Sequence, residues 1–395
     1  MKHLSMKNLK KVLLGMFLVL ITLLLVVFTA GGAFVKEKYL EPWDKSYSDK
    51  FEDKRIKLIS NGILAASGHN MQPWIIKLDP NKDIFYLYAN SDLLTKEVDP
   101  FARQTMITQG TFLEYIVVSG EHFGYKVNID FFPKGQYDEQ NLASSMKEKP
   151  VAKVSISEDK NEDSKLYDFM FLPDTNRESY EKASLTKEQL DTLLNLSNED
   201  VKIKTFDDKN SLKQLGAYAM KGAEIEANIH RMNEESAKVF RVNEYEKNKY
   251  RYGYSFEGQN ITGLKKYLMQ GLITLIPSIN SEKASSDIYI NSTKTAVENT
   301  PAYGMVITKN NSRIEQVKSG MVYSSLVLNG HALGIAMQPL SQVLEEYTEM
   351  KEQYENFHKD YADKGDTIQM FFRVGKPTKE VPVSMRRDVM DFINK

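Results

Sequence analysis

The chain has 395 residues, 42% hydrophobic and 11% aromatic, enough for two domains or one large one with a sizeable core. Basic and acidic residues nearly cancel, at net −1, which removes the basic footprint of a nucleic-acid binder. There is no cysteine, which excludes disulfides, zinc–thiolate sites, iron–sulfur clusters and thiol nucleophiles, and the six histidines show no metal-ligand spacing.

The first predicted element is a membrane span. Val12 to Val35 is a charge-free run rich in Leu and Val, and about 20 such residues cross a bilayer core. Lys2, Lys7, Lys10 and Lys11 precede it. By the positive-inside rule the N-terminal tip stays in the cytoplasm and the globular part lies outside it. A cleaved signal peptide is the alternative. Its apolar core would be about 7–15 residues with an A-x-A-like site. This run is longer, and Ala30-Gly31-Gly32-Ala33 matches such a site poorly. The reading is a single-pass membrane protein with an extracytoplasmic body, and the lack of cysteine suits a bacterium that exports proteins without disulfides.

Residues 36–53 form a short polar and aromatic stalk, so the tip, anchor and stalk together occupy residues 1–50 or so. Lys54 to Ala66 carries apolar residues at helical spacing, and Trp74 opens a strand. Ile84 to Tyr88 reads as a strand, Phe101 to Tyr125 as a long helix and Val127 to Phe132 as a strand. Residues 135–165 are mostly polar and end in a charge run, Ser157 to Asp163, that reads as a linker. Leu185 to Leu196 is a helix with Ser184 as its N-cap, Val201 to Phe206 a strand, and Lys209 to Tyr250 a long helical stretch. Tyr252 to Ser286 mixes Gly, Asn and aromatics. Tyr303 to Thr308 is a strand, Ile314 to Leu333 a helix and Thr367 to Val374 a strand.

Two helices look like copies. GTFLEYIVVSGEHFG starts at Gly110 and GMVYSSLVLNGHALG at Gly320. Gly110, Val117, Gly120 and Gly124 match Gly320, Val327, Gly330 and Gly334 without a gap. A glycine inside a helix costs roughly 1 kcal/mol against alanine, so close approach of two helix backbones would explain keeping them. The pattern reads as an internal duplication, two similar halves at about 51–165 and 166–395.

The loop Ala65 to Trp74, AASGHNMQPW, puts donors and acceptors directly before a strand. It is similar to the A-P-S-x-x-N-x-Q-P-W segment of the nitroreductase superfamily. DPFARQTMITQGTFLEYIVVSGEHFGY from Asp99, TNRESY from Thr175, LGIAMQPLSQVLE from Leu333 and FFRVGKP with SMRR from Phe371 resemble, in order, motifs of its Acg-like branch. The resemblance covers most of residues 55–395. It implies an α+β, nitroreductase-like fold of two fused halves, a pseudo-dimer within a monomeric chain. It also implies one non-covalent FMN. Ala66 stands where the wider family has Pro. Arg55 is the only arginine upstream of the loop, and the arginine motif recurs at Arg177, which implies one flavin site per chain.

The resemblance assigns Ser67, Gly68, His69, Asn70 and Gln72 to the flavin ring. Arg177, Arg386 and Arg387 are assigned to its phosphate, and Gly334, Ile335 and Gln338 to the segment that offers N5 a backbone N–H. No catalytic side chain is assigned. The lack of a Gly-rich dinucleotide fingerprint speaks against FAD. Trp74 reads as packing, Arg103 as the partner of a carboxylate in its own loop, and His122 and His331 as locally hydrogen-bonded. The segment 245–286, with Tyr245, Tyr250, Tyr252 and Tyr254, reads either as a lid over the flavin or as core. The implied activity is an oxidoreductase that takes electrons from a nicotinamide or another donor and reduces nitro compounds or quinones. The alternative is a membrane-anchored protein that sequesters FMN without turnover.

Overall fold

The structure is a computed structural model that describes residues 6–159 and 164–394. Lys2, part of the positive-inside reading, and most of the charged end of the linker, 160–163, lie outside the described residues. Helix α1 (Met6–Gly31) is long and apolar enough to cross a membrane, with a mean hydropathy of 3.0 and its apolar window unburied. Two 3₁₀ turns, Lys38–Trp43 and Lys45–Lys50, follow and pack Tyr39 and Tyr47 inward.

Asp53 caps α2 (Lys54–Gly62) by accepting from Arg55 N. Then come β1 (Trp74–Leu78), β2 (Ile84–Ala89), α3 (Arg103–His122), β3 (Tyr125–Phe131), α4 (Leu142–Glu148) and β4 (Ala152–Glu158). The second series is α5 (Lys187–Leu194), β5 (Val201–Phe206), α6 (Lys209–Ala227), α7 (His230–Val239), α8 (Glu244–Tyr250), α9 (Gly263–Leu275), α10 (Glu282–Glu298), β6 (Ala302–Thr308), α11 (Arg313–Ala332), β7 (Ala336–Pro339), α12 (Lys351–Tyr361), β8 (Thr367–Gly375) and β9 (Ile393–Asn394).

Several expectations are corrected here. Lys209 to Tyr250 is three helices, because the chain turns at Asn228 and again where Phe240 bridges to Tyr254. The cap of α5 is Thr186 rather than Ser184. It forms a capping box with Gln189 that satisfies two orphan donors at once. The polar stretch 135–165 holds a strand, β4, which lies inside its sheet with Val154 and Ile156 facing the core.

The first sheet runs β3-β4-β2-β1-β9 and the second, read from its far edge, β7-β8-β6-β5. Strand, strand, helix, strand, strand therefore recur in the same spatial order. All pairs within these two four-strand sets are antiparallel. Only β9 breaks the pattern: it comes from the C-terminus and pairs parallel to β1. Residues 384–394 thus return to the first half, so the sequence boundary 166–395 is crossed at its end. Trp74, Phe85, Phe112 and Phe392 share the first core, and Val306, Leu326, Phe372 and Val374 the second.

The long helices α3 and α11 cross at their glycines. A Cβ on Gly110 would run into the Val317 carbonyl oxygen, and one on Gly320 into that of Ile107. Ile107 and Val317 are themselves 210 residues apart, so the contact is reciprocal. Arg103 and Arg313, at the same offset, behave alike. Arg103 crosses to Gln369 O at 2.7 Å, Leu344 O at 2.8 Å and the Glu346 carboxylate at 3.4 Å. Arg313 crosses the other way, to Glu139 at 2.5 Å. The expected partner of Arg103 in its own loop, Asp99, instead caps α3 through the N–H groups of Gln104 and Thr105.

Candidate functional site

The loop 65–74 is a tight turn of unusual backbone. His69, Asn70 and Gln72 all have positive φ, at 49°, 53° and 50°. Such conformations persist only where the surroundings fix them, and here side chains do. Asn70 Nδ2 donates to Gly253 O at 2.9 Å and to Met385 O at 3.0 Å, while its Oδ1 accepts from Arg386 Nη1 at 2.8 Å. Gln72 is fully buried. Its Nε2 donates to Arg251 O at 2.9 Å and its Oε1 accepts from Arg387 N at 3.0 Å. Ser67 Oγ accepts from Gln72 N at 3.0 Å.

Arg386 is fully buried at the centre of this hub. Its Nη2 donates to Leu64 O at 2.7 Å, its Nη1 also to Ser384 Oγ at 2.5 Å, and its guanidinium lies 4.7 Å from the Trp43 ring centre. Arg387 donates to Asp391 O and covers the Phe392 ring. In this structure the polar atoms of Asn70, Gln72 and Arg386 hold segments 251–253 and 384–387 onto the loop, and the Arg387 side chain bonds Asp391 O.

Arg177 is different. It is exposed, and among the described residues it makes no hydrogen bond or ion pair. Burial nevertheless lowers its pKa, against the favourable pull of Asp174, Tyr289, Tyr180 and Tyr323. Arg177 is thus open to water, while the protein on its flanks still disfavours its charge. His69 lies near enough to feel that charge. Burial, and secondarily the Arg177 charge, hold its pKa down at about 4, so its imidazole is neutral at pH 7. Its ring centre lies 6.3 Å from that of Tyr254. Tyr254 and Tyr289 both come from the long insertion between β5 and β6, and Tyr289 acts on the Arg177 charge.

Arg373 is fully buried, donates through Nε to Gln338 Oε1 at 2.7 Å and through Nη2 to Glu178 O at 2.6 Å, and stacks 3.8 Å from the Tyr180 ring centre. Its Nη1 has no acceptor among the described residues. Gln338 is thus tied to β8. The N–H groups of Gly334 and Ile335 close the end of α11 on His331 O and Gly330 O, and neither is free for a ligand. Gly334 has φ +70°, the left-handed value that favours glycine at a helix end.

A carboxylate pair beside Tyr289 was not singled out in the sequence. Glu226 accepts from Tyr289 at 2.7 Å, and burial raises its pKa to about 7. Burial, and then Glu226 itself, raise Glu345 well above the usual range. Gln104 donates to Glu345 at 3.3 Å and borders Gly68, where a Cβ would lie 3.6 Å from its Oε1. A hollow of about 10 Å³ opens on that side, lined by Gly68, Gln104, Thr105 and Thr108. It is far smaller than the ~300–1,000 Å³ of typical small-molecule sites.

Trp74 is core, donating to Thr108 O at 3.2 Å. His122 stacks on Tyr167 at 3.5 Å and His331 contacts Phe169 O at 3.3 Å.

Among solved structures the neighbours of this chain are nitroreductase-like proteins. A nitroreductase-like family protein from Bacillus cereus is 12% identical, with TM-score 0.32, over 60% of this chain and 97% of that one. A nitroreductase with bound FMN from Desulfitobacterium hafniense is 9% identical, with TM-score 0.34, over 57% and 94%. A putative nitroreductase from Anabaena variabilis is 10% identical, with TM-score 0.31, over 80% and 82%. No family model and no curated protein matches the chain.

Proposed function

We propose that this chain is a membrane-anchored FMN-binding protein of nitroreductase type, with one flavin site at Arg177. The observation that carries it is the unpaired Arg177 itself. An arginine kept open and without a hydrogen-bonded carboxylate is suited to a ligand that brings an anion, and a planar guanidinium matches a phosphate. Arg373, whose charge interacts with that of Arg177, carries an N–H with no acceptor among the described residues. Neutral His69 lies within reach of the Arg177 charge.

The remaining site residues fit FMN. Arg177 would hold the phosphate, and His69 would present one donor and one acceptor to a polar ring edge. Tyr254 and Tyr289 would exclude water. When bound, the flavin supplies one- or two-electron transfer at its isoalloxazine ring.

Repeated topology, the reciprocal glycine contact and the crossed Arg103 and Arg313 support a duplicated chain that acts as its own dimer. The lysines at positions 7, 10 and 11 and the span α1 support anchoring with the body outside the cytoplasm. A body outside the cytoplasm has no ready access to nicotinamides, so reduction of nitro compounds or quinones there takes another electron source. The aromatic residues of the insertion favour a second reading, FMN sequestration without turnover.

The test is a titration of the detergent-solubilised chain with FMN, followed by flavin fluorescence. Micromolar binding that is lost in Arg177→Gln supports the site, and no binding by the unaltered chain rejects it. Anaerobic bleaching by NADPH or NADH, then reoxidation by a nitroaromatic, identifies the reductase. Bleaching by dithionite alone identifies sequestration or a different donor.

A further inference from the structure

Helix α9 packs against the membrane span, and its end is left bare. A Cβ on Gly31 would strike the Tyr267 carbonyl oxygen, and one on Gly271 would strike that of Val27. Residue numbers rise along α9 as they fall along α1, so the two helices run antiparallel. Small residues that let backbones touch are how helices associate in lipid. From Tyr267 to Leu275 the helix descends about 12 Å at 1.5 Å per residue. That brings its end level with about Leu23 of α1. Ile21 and Leu24, at 36% and 41% exposed, are more covered than Leu20 and Leu25 at 55% and 52%.

The segment beyond is apolar and uncovered. Leu275, Ile276 and Ile279 are 48%, 49% and 49% exposed, around Pro277. The apolar stretch is short. Lys265 and Lys283 flank it, both exposed, and Glu282 pairs with His230 at 2.8 Å. Those charges set how far the tip can sink.

We propose that residues 275–279 insert into the leaflet on the body's side of the membrane, beside α1, as an interfacial hairpin tip. The inference rests on α1 being membrane-embedded. The occupant is the acyl region of the bilayer, because the tip lies at a depth where α1 itself is surrounded by lipid. Interfacial elements bury their apolar faces about 5–10 Å below the headgroup boundary, somewhat less than the ~12 Å descent from Tyr267, so the start of α9 stays above that boundary. Lysines on either side stand where they can reach phosphate headgroups. The insertion that carries Tyr254 and Tyr289 is then held at a fixed height and orientation over the membrane surface.

The absence of native cysteine permits a clean test. Single variants Ile276→Cys and Ile279→Cys of the full chain are labelled with an environment-sensitive fluorophore and reconstituted into phosphatidylcholine–phosphatidylglycerol vesicles. Ser144→Cys, on an exposed turn of α4, is the aqueous control, and Leu18→Cys in α1 is the anchor control. The expected result is loss of iodide quenching and gain of quenching by brominated acyl chains at 276 and 279, as at 18. If 276 and 279 respond to iodide like 144 while 18 responds to lipid, the hairpin proposal is overturned and the anchor stands. If 18 also responds to iodide, the anchor reading fails and the hairpin falls with it.

Discussion

Arg386 donates to Asn70 Oδ1 at 2.8 Å across 316 residues of chain, and the pair closes the loop onto the C-terminal tail. Hydrogen bonds to a charged group are worth about 1.5–3 kcal/mol each when one partner is lost. Arg386→Gln should therefore lower stability by about 3 kcal/mol or more, read as an earlier midpoint in denaturant. Arg177 makes no such bonds. Arg177→Gln should change stability by no more than about 0.5 kcal/mol, as at an unencumbered site, yet abolish FMN binding. If both variants lost stability equally, Arg177 would be a structural arginine and the site reading would fail.

Gly110 and Gly320 meet at the helix crossing, where each excludes a methyl group from a carbonyl oxygen of the other helix. Alanine would gain up to about 1 kcal/mol in helix propensity. Overpacking of a close contact costs about 1–3 kcal/mol, and backbone cannot move aside as a side chain can. Gly110→Ala and Gly320→Ala should each lower the melting temperature. The double variant should cost less than the sum, because one separation of the helices relieves both clashes. Strict additivity would show that the two glycines do not share a contact.

Much of the scaffold was legible because its signals are local. The glycines of α3 and α11, their 210-residue offset and the strand entered at Trp74 are all visible in the chain. Strand β4 was hidden because its alternation, Val154 and Ile156, runs into a charge-rich linker. The loop was found, but which of its atoms remain free could not be read. Asn70 and Gln72 are consumed by Gly253, Met385, Arg251 and Arg387, hundreds of residues away. Glu226, Tyr289 and Glu345 follow no motif, and only folding brings them together. Arg177 was named with Arg386 and Arg387 on equal terms, and what separates it is the lack of a partner.

The site should give two opposed pH dependences. Glu226 has its folded pKa raised to about 7, against about 4.3 when unfolded. The fold then binds more protons than the unfolded chain in that window, so this contribution falls as pH rises from about 4.3 to 7. Glu226→Gln keeps an acceptor for Tyr289 and should raise the melting temperature at pH 8 but not at pH 4. His69 does the reverse. With a folded pKa of about 4 and an unfolded value of about 6.5, its contribution is full above about 6.5 and is lost as pH falls towards 4. His69→Gln should flatten the acid side of the melting profile. A profile unchanged by either substitution would place these groups in open solvent.

Lys247 tests the joint between stalk and insertion. It is fully buried, with Nζ 2.6 Å from Glu244 and 2.5 Å from Glu257. Lys266 bridges Glu37, Glu244 and Glu257, each at 3.0 Å, and Tyr39 donates to Glu244 at 2.7 Å. Removing one partner from a buried ion pair costs about 3–5 kcal/mol, because the charge left behind stays desolvated. Lys247→Met should lose about that much. Adding Glu257→Gln removes the stranded charge and should recover part of the loss, a coupling that a double-mutant cycle measures. The acid limb checks the same joint independently. Burial pushes Glu257 up, but Lys247 and Lys266 outweigh it and hold its pKa at about 2. Its contribution is therefore complete above about 4.3, the unfolded value, and is lost as pH falls towards 2. In Lys247→Met the folded pKa rises towards the unfolded value, so that loss should be smaller and end at higher pH. If acid unfolding of the variant coincides with that of the unaltered chain, Lys247 does not hold Glu257 ionised, and the stalk is joined to the insertion by apolar packing instead.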